Sequence, residues 1–311
     1  MKQRDTLSRR LFLQRAFAVG GALAVGLAGG LTPLNALAGP AGKATAQQTR
    51  LLMGCFVTLT AVTRETSRAE DAFGAAFAEM ERLIAVFDRH SATSALAVLN
   101  AQGRLAGSPP ELVKVLAASQ RLGVASEHAF NPAITPALDL LEASQAKIGG
   151  PLPGYADNDY RHALSLASPG GVRLDGGTIA FERSGMKLTL DGIAKGFIAD
   201  RASEVLAAFG LADHMVNAGG DIRCSGRAAR GENWTIGIRH PAGGTLASTA
   251  MGDGGIATSG SYESFYGRSG SRHHLISHLT GKSADVLSVT VKAGTAMRAD
   301  ALATALAFMP P

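Results

Sequence analysis

Apolar residues in this chain recur at helical spacing in several stretches, with short β-branched runs between them. In 67–90, SRAEDAFGAAFAEMERLIAVFDRH, the positions Phe73, Phe77, Met80, Ile84 and Phe87 fall on one face, which predicts a helix ending near Asp88. Residues 108–126 open on two prolines suited to a first helical turn. They carry Leu112, Val115, Leu116 and Leu122 on one side and predict a second helix. In 128–144, Pro132 and Pro136 keep the first half extended before a short helix. Residues 192–209 place Ile193, Phe197, Val205, Leu206 and Phe209 on a buried stripe closed by Gly210, and 296–309 give a last, almost wholly apolar helix. Strands are predicted at 50–62, 172–174, 178–182, 186–190, 214–217, 221–225, 233–238, 246–250 and 287–292. Helices and strands mix without regular βα alternation, and no repeat or composition break divides 49–311. The expected fold class is therefore α+β, in one domain.

Composition narrows the class. With 46% apolar residues, 18% charged and 38 glycines, the chain suits a globular fold rich in tight turns and not a disordered one. The formal charge of +5 sits mostly at the N-terminus, where Lys2, Arg4, Arg9, Arg10 and Arg15 face Asp5 alone. The remainder is nearly neutral and has no basic cluster interleaved with aromatics, so no nucleic-acid partner is expected. The N-terminus itself has the pattern of a targeting segment. Arg9 and Arg10 precede an apolar run from Ala16 to Leu31, and Ala36-Leu37-Ala38 offers a small-residue cleavage site. Residues 1–38 are expected to be a twin-arginine signal cut after Ala38, with the mature protein in the periplasm. The apolar run is too short and too rich in glycine and alanine for a spanning helix, which needs roughly 20 strongly apolar residues. Residues 39–48, GPAGKATAQQ, suggest a flexible leader before a folded domain at 49–311. Cys55 and Cys224, far apart, are expected to be unpaired buried thiols.

Two junctions hold charged groups in otherwise apolar surroundings. In LTLDGIAKGFIAD (188–200) a predicted strand runs into a helix. Asp191 stands at the N-cap position and Lys195 in the first turn, where a cation opposes the helix dipole at a cost of about 0.3–1 kcal/mol. A phosphate at the open helix end would supply the missing anion; an Asp191–Lys195 ion pair one turn apart is the alternative. In AMRADALATALAF (296–308), Asp300 and Thr304 share one helix face. With a backbone carbonyl they are hard oxygen ligands of the kind Mg²⁺ accepts, the alternative being a surface Asp and a Thr bonded back to its own helix. VNAGGDIRCSG (216–226) is a Gly-Gly turn between strands, not the glycine pattern of a dinucleotide site. In RHHLISHLTGKSAD (272–285), His274 and His278 are four apart, but the β-branched and turn residues argue against a helix and so against a zinc pair. One histidine as general base suits the segment better.

Taken in order, MGCFVTL (53–59), HSATSALAVLN (90–100), AFNPAITPAL (129–138), LTLDGIAKGFIAD, VNAGGDIRCSG, WTIGIRHP (234–241), IATSGSYE (256–263), HLISHLTG (274–281) and ADALATAL (299–306) resemble the ApbE family of FAD:protein FMN transferases, over nearly all of 50–309. The LTLDGIAKGFIADR variant is similar to the branch linked to nitrous oxide reductase maturation, whose acceptor is a membrane electron-transfer subunit. The resemblance implies a T-fold-related α+β domain that binds FAD with Mg²⁺ on its diphosphate. It implies transfer of FMN to a Thr or Ser hydroxyl of an exported acceptor protein, with release of AMP. By the same resemblance the metal is held by the backbone carbonyl of Gly192 or Ala194 with Asp300 and Thr304, and His274 is the general base. Met53, His90, Phe130, Asn131, Lys195, Ser259 and Leu275 would line the FAD pocket. With water in place of the acceptor the same chemistry is a hydrolase giving FMN and AMP; without chemistry the site is a flavin-binding module. This sequence departs from the family pattern where His90 replaces an aromatic, Asn131 and Ser277 replace aspartates, and His278 replaces a proline.

Overall fold

The structure is a computed structural model that describes residues 35–38, 42–146, 152–262, 265–266 and 272–309. Strand β1 (Asn35–Ala38) pairs antiparallel with β2 (Ala44–Leu52), which turns through Met53 and Gly54, at φ 52° and 70°, into β3 (Cys55–Thr63). The strand expected over 50–62 is thus the later part of a hairpin. The flexible leader expected over 39–48 is folded from Ala44 onward. Its small and polar residues suggested disorder, yet Ala46 and Gln48 are buried, and their backbone groups are satisfied by pairing from Ala44↔Thr63 to Leu52↔Cys55. The twin-arginine motif and the apolar run after it lie outside the described residues. No helix among the described residues is long and apolar enough to cross a membrane.

The chain continues through helices α1 (Thr66–Phe87) and α2 (Ala95–Gln102), strand β4 (Arg104–Leu105), α3 (Pro110–Ala125), a 3₁₀ turn at Pro132–Ile134, α4 (Thr135–Ala146) and α5 (Asn158–Ser165). Strands β5 (Val172–Asp175) and β6 (Thr178–Phe181) then form a small sheet with β4. After α6 (Ala194–Ala208) come β7 (His214–Ala218), β8 (Asp221–Ser225), the hairpin of β9 (Trp234–Arg239) and β10 (Thr245–Met251), β11 (Gly254–Gly260), β12 (Phe265–Tyr266), β13 (Arg272–His273), β14 (Ser288–Ala293) and α7 (Ala296–Leu306). The large sheet is antiparallel throughout, in the order β1-β2-β3-β7-β8-β11-β14.

Helices α1, α6 and α7 lie in turn against the β2–β3, β7–β8 and β11–β14 parts of this sheet. The stripe of Phe73, Phe77, Met80 and Phe87 meets Val57, Leu59 and Phe197 in the main core, where Phe87 and Phe197 stack edge to face at 5.7 Å. Burying each such side chain stabilises the fold by roughly 1.5–3 kcal/mol. Alternation along β8 sends Asp221 and Arg223 toward α6 and sends Ile222 and Cys224 into a second core with Val62, Trp234, Ile236, Met251 and Ile256. Neither cysteine forms a disulfide. Cys224 is buried, and burial pushes its thiol up to about 11, whereas Cys55 is only half-buried.

The strand expected at 186–190 is extended but joins no sheet. Its pairing is supplied by a side chain: Leu188 N donates to Asn100 Oδ1 (2.7 Å), Asn100 Nδ2 donates to Leu188 O (2.8 Å), and Thr189 N donates to Pro132 O (2.9 Å). These bonds aim the run into the start of α6.

Candidate functional site

Helix α6 begins without a side-chain cap from its own neighbourhood, its N-cap position being Ile193. Asp191, expected as the cap, is largely exposed and turns to Arg89 at 3.3 Å. The cap comes instead from far along the chain: Gly196 N donates to Asp300 Oδ2 (3.1 Å) on α7. In return, Ala296 N and Met297 N at the start of α7 donate to Asp200 Oδ1 and Oδ2 of α6 (2.8 and 2.9 Å). Each helix start is held by a carboxylate of the other, which satisfies otherwise orphaned N–H groups and places negative charge at both positive dipole ends.

Lys195 reaches Asp221 Oδ2 on β8 at 2.9 Å, rather than pairing with Asp191. Burial disfavours the Lys195 charge, but the Asp221 and Asp300 carboxylates outweigh it and hold the ammonium above its ordinary pKa. Asp300 is 5% exposed. Burial, and then the Asp221 charge, push its carboxyl well above the usual carboxylate range, against the pull of Lys195 and the Gly196 N–H. Two carboxylates share one ammonium here, so the junction is short of positive charge.

Thr304, one turn beyond Asp300, has its Oγ1 3.2 Å from Ser259 Oγ on β11. A Cβ at residue 192 would lie 2.7 Å from Thr304 Oγ1, so only glycine lets the backbone come this close. The carboxylate of Asp300 and the hydroxyls of Thr304 and Ser259, with the Gly192 backbone close by, are hard oxygen groups where positive charge is lacking, which suits a small, hard divalent cation. Among the described residues no group of three or more His, Cys, Asp or Glu is placed to hold a metal ion by itself.

These groups open onto a cleft whose lining includes Phe130, Asn131, Gly192, Lys195, Ser259, His274, Leu275, Asp300 and Thr304. Nine of the twelve residues expected at the site are therefore brought together. Met53, His90 and Ala194 are not in this lining. Met53 forms the β2–β3 turn, His90 is exposed in the turn after α1, and Ala194 is buried as the first residue of α6. Asn131 spends its amide locally, accepting from Ala133 N (2.9 Å) and donating to Ala167 O (2.9 Å), which fixes the 3₁₀ turn. Just before it, Glu127 and His128 sit at φ 50° and 66°, a costly backbone that swings Phe130 into the wall.

His274 comes from a compact hairpin that follows β13. Ala284 N donates to Leu275 O (3.0 Å), Ser277 N to Lys282 O (2.9 Å) and Gly281 N to Ser277 O (2.7 Å), while Leu275 and Ile276 are buried. His278, also in the lining, is held below the usual histidine range by burial and by neighbouring His128. Arg89, Asp221 and Tyr266 line the cleft too, and nothing in the sequence pattern singled them out. Arg89 is nearly buried among Glu142 (2.7 Å), Asp191 (3.3 Å) and Asp139 (3.8 Å). Burial, with Glu142 close by, pushes the Tyr266 phenol up to about 12. An acid beside a Gly-Gly turn was the one available signal for Asp221.

Residues 53–311 match the profile of the ApbE family. The chain is 35% identical over 238 residues to the FAD:protein FMN transferase of Treponema pallidum, a stretch covering 68% of this chain and 64% of that protein. In structure it is similar to the ApbE protein of Thermotoga maritima, with a TM-score of 0.76 at 25% identity over 89% of this chain and 87% of that one. The apo flavinyl transferase ApbE of Pseudomonas stutzeri gives 0.73 at 25% identity, over 85% and 84%. The chain spans less than two thirds of the length of the curated relatives it matches. With its family profile matched from residue 53 to 311, this chain belongs to the ApbE family.

Proposed function

We propose that this chain transfers FMN from FAD to a Thr or Ser hydroxyl of an exported acceptor protein, with Mg²⁺ as cofactor and AMP as leaving group. The observation that carries the reading is the convergence of Lys195, Asp300, Thr304 and His274 on one cleft, in a fold whose relatives are named for this activity. Lys195, steadied by Asp221 beside the Asp300-capped start of α6, would meet the diphosphate of FAD with its ammonium. Gly192, Asp300 and Thr304 would hold Mg²⁺, which when bound neutralises charge on the diphosphate. His274 takes the proton of the acceptor hydroxyl as its oxygen bonds to the FMN phosphorus; the bond from that phosphorus to the oxygen of AMP breaks, and AMP leaves. Phe130, Leu275 and Ile276 supply apolar surface for the flavin ring.

The test mixes the protein, FAD, Mg²⁺ and candidate acceptors, membrane electron-transfer subunits among them, and looks for flavin fluorescence on a denatured acceptor band together with released AMP. AMP without an acceptor would indicate a hydrolase, and FAD held without any AMP a binding module. Export by the twin-arginine route belongs to the same proposal: lysines at positions 9 and 10 should leave the protein in the cytoplasm on fractionation. A cut after Ala38 would also remove β1 and leave β2 as the edge of the sheet.

A further inference from the structure

The hairpin that carries His274 is held from behind by α5. Tyr160 of that helix is fully buried, and its hydroxyl donates to Gly281 O at 2.7 Å. Gly281 closes the hairpin turn at φ +69°, with an added Cβ lying 2.7 Å from Leu164 Cδ1 and 2.8 Å from Tyr160 Cε1, so turn and helix are in close contact. At the other end of the segment the guanidinium of Arg272 lies 3.9 Å from the ring centre of Tyr155 and 5.2 Å from that of Tyr160. Arg272 is 6% exposed, and its Nη1 has no hydrogen-bond partner among the described residues, so these rings offset much of the cost of burying its charge. The Tyr160 side chain thus meets both ends of the segment from 272 to 281. Between them, His273 N donates to Ser283 Oγ (3.0 Å) and the ring Nε2 of His273 lies 2.8 Å from Ala284 O, which fixes the residue next to His274. Tyr155, Tyr160 and Arg272 are all outside the cleft lining.

We propose that Tyr160, with Arg272 lying over its ring and more closely over that of Tyr155, is a positioning residue that sets where the His274 imidazole stands in the cleft without itself touching FAD. The inference rests on the transferase reading. A reacting group displaced by about 1 Å loses on the order of 10²-fold in rate, so loosening the hairpin should act on the chemical step more than on flavin binding, to which Leu275 and Ile276 of the same hairpin contribute.

The experiment compares Tyr160→Phe, Arg272→Lys and, as a control, Trp234→Phe. The control also removes one buried hydrogen bond, from Trp234 Nε1 to Ser225 O (3.0 Å), but in the second core. Four quantities are read for each: FAD Kd, kcat at saturating FAD and acceptor, Tm, and amide exchange over 273–284. Tyr160→Phe should lower kcat, read at saturating FAD, by about 10- to 100-fold, a larger factor than any rise in FAD Kd through Leu275 and Ile276. It should also speed exchange at Ser277, Gly281 and Ala284. Arg272→Lys, which keeps the charge but not the flat stack, should shift kcat and exchange the same way. Trp234→Phe should lower Tm with kcat at the wild-type value. Wild-type kcat in Tyr160→Phe, a loss of rate explained by FAD Kd, or unchanged exchange would overturn the proposal; if Tyr160→Phe does not fold, Arg272→Lys decides by the same readings. A wild-type protein inactive with every acceptor counts against the transferase reading instead, and the exchange measurement then decides whether Tyr160 holds the hairpin.

Discussion

Two walls of the cleft are built on opposite principles. At the α6–α7 junction, the groups that face the ligand are also the groups that hold the fold: Asp300 lines the cleft and caps α6, while Asp200 caps α7 from the other helix. At the 272–284 hairpin, His274 is carried by bonds made by other residues, among them Gly281, Ser283 and Tyr160. Substitutions in the first wall should therefore cost activity and stability together, and the substitution of His274 in the second, whose ring packs edge-on against His273 but caps no helix, should cost activity with little loss of stability.

The largest effect belongs to the first wall. Asp300→Ala leaves the Gly196 N–H buried without its acceptor, a loss of about 1–3 kcal/mol. Removing the carboxylate from the charged site should lower transfer by at least about 10²–10³-fold. Asp300→Asn separates the two roles, since the amide oxygen can still accept from Gly196 while the excess negative charge is gone. That variant should be as stable as the wild type and as inactive as the alanine variant, by urea denaturation and by transfer at saturating FAD. An alanine variant of wild-type stability would break the contrast.

His274→Ala is the counterpart. Transfer should fall by roughly 10²–10⁴-fold through loss of the general base, with FAD affinity at the wild-type value and Tm little changed. A marked drop in Tm would mean that His274 holds its wall as Asp300 holds the other.

A smaller effect is expected at Asp200, which lies on the first wall but outside the cleft lining. Asp200→Ala should cost about 0.5–2 kcal/mol for the lost cap, with transfer reduced far less than in Asp300→Ala. Denaturation curves and transfer rates, measured on the same samples, check the pair. Equal losses of activity in the two variants would show that capping, and not the ligand-facing charge, sets the activity of this wall.

The same contrast explains what the sequence made legible. Helices α1, α3, α6 and α7 were readable because each buries a periodic stripe, and Asp300, Thr304 and Lys195 stood out as polar residues within such stripes. The reciprocal caps were hidden, because Gly196 and Asp300 are 104 positions apart and no local pattern announces the bond. Helix α5 escaped because only Tyr160 and Ala163 of its eight residues are buried. Strand β11, GGIATSG, escaped because only Ile256 and Thr258 among its seven residues are β-branched and the rest are Gly, Ala and Ser; its place in the sheet comes from pairing with β8 and β14. Residues 186–190 were read as a strand but join no sheet, because the backbone groups of Leu188 bond to the Asn100 side chain and not to a neighbouring strand.

The smallest effect lies behind the first wall, at His214. Its ring is fully buried, with Nδ1 2.6 Å from Leu211 O and Nε2 2.6 Å from Ser203 Oγ of α6. A carbonyl only accepts, so Nδ1 carries the proton and Nε2 accepts from the serine, which is the neutral ring. Burial, aided by the Arg223 charge and opposed by the Leu211 bond, holds the His214 pKa below the ordinary histidine value. The unfolded chain, titrating near about 6.5, therefore binds the proton first as pH falls. The contribution of His214 to stability is fully present above that value and is lost as pH drops below it, by at most about 1.4 kcal/mol per pH unit. Urea denaturation at several pH values between about 7.5 and 5.5 should show a steeper loss in the wild type than in His214→Gln, whose side chain does not titrate. His278 in the hairpin is shifted in the same direction, so the difference between the two proteins is the reading that counts, not the slope of either. If the slopes are equal, the acid sensitivity does not come from His214, and the hairpin wall, where His278 sits, becomes the place to look for it.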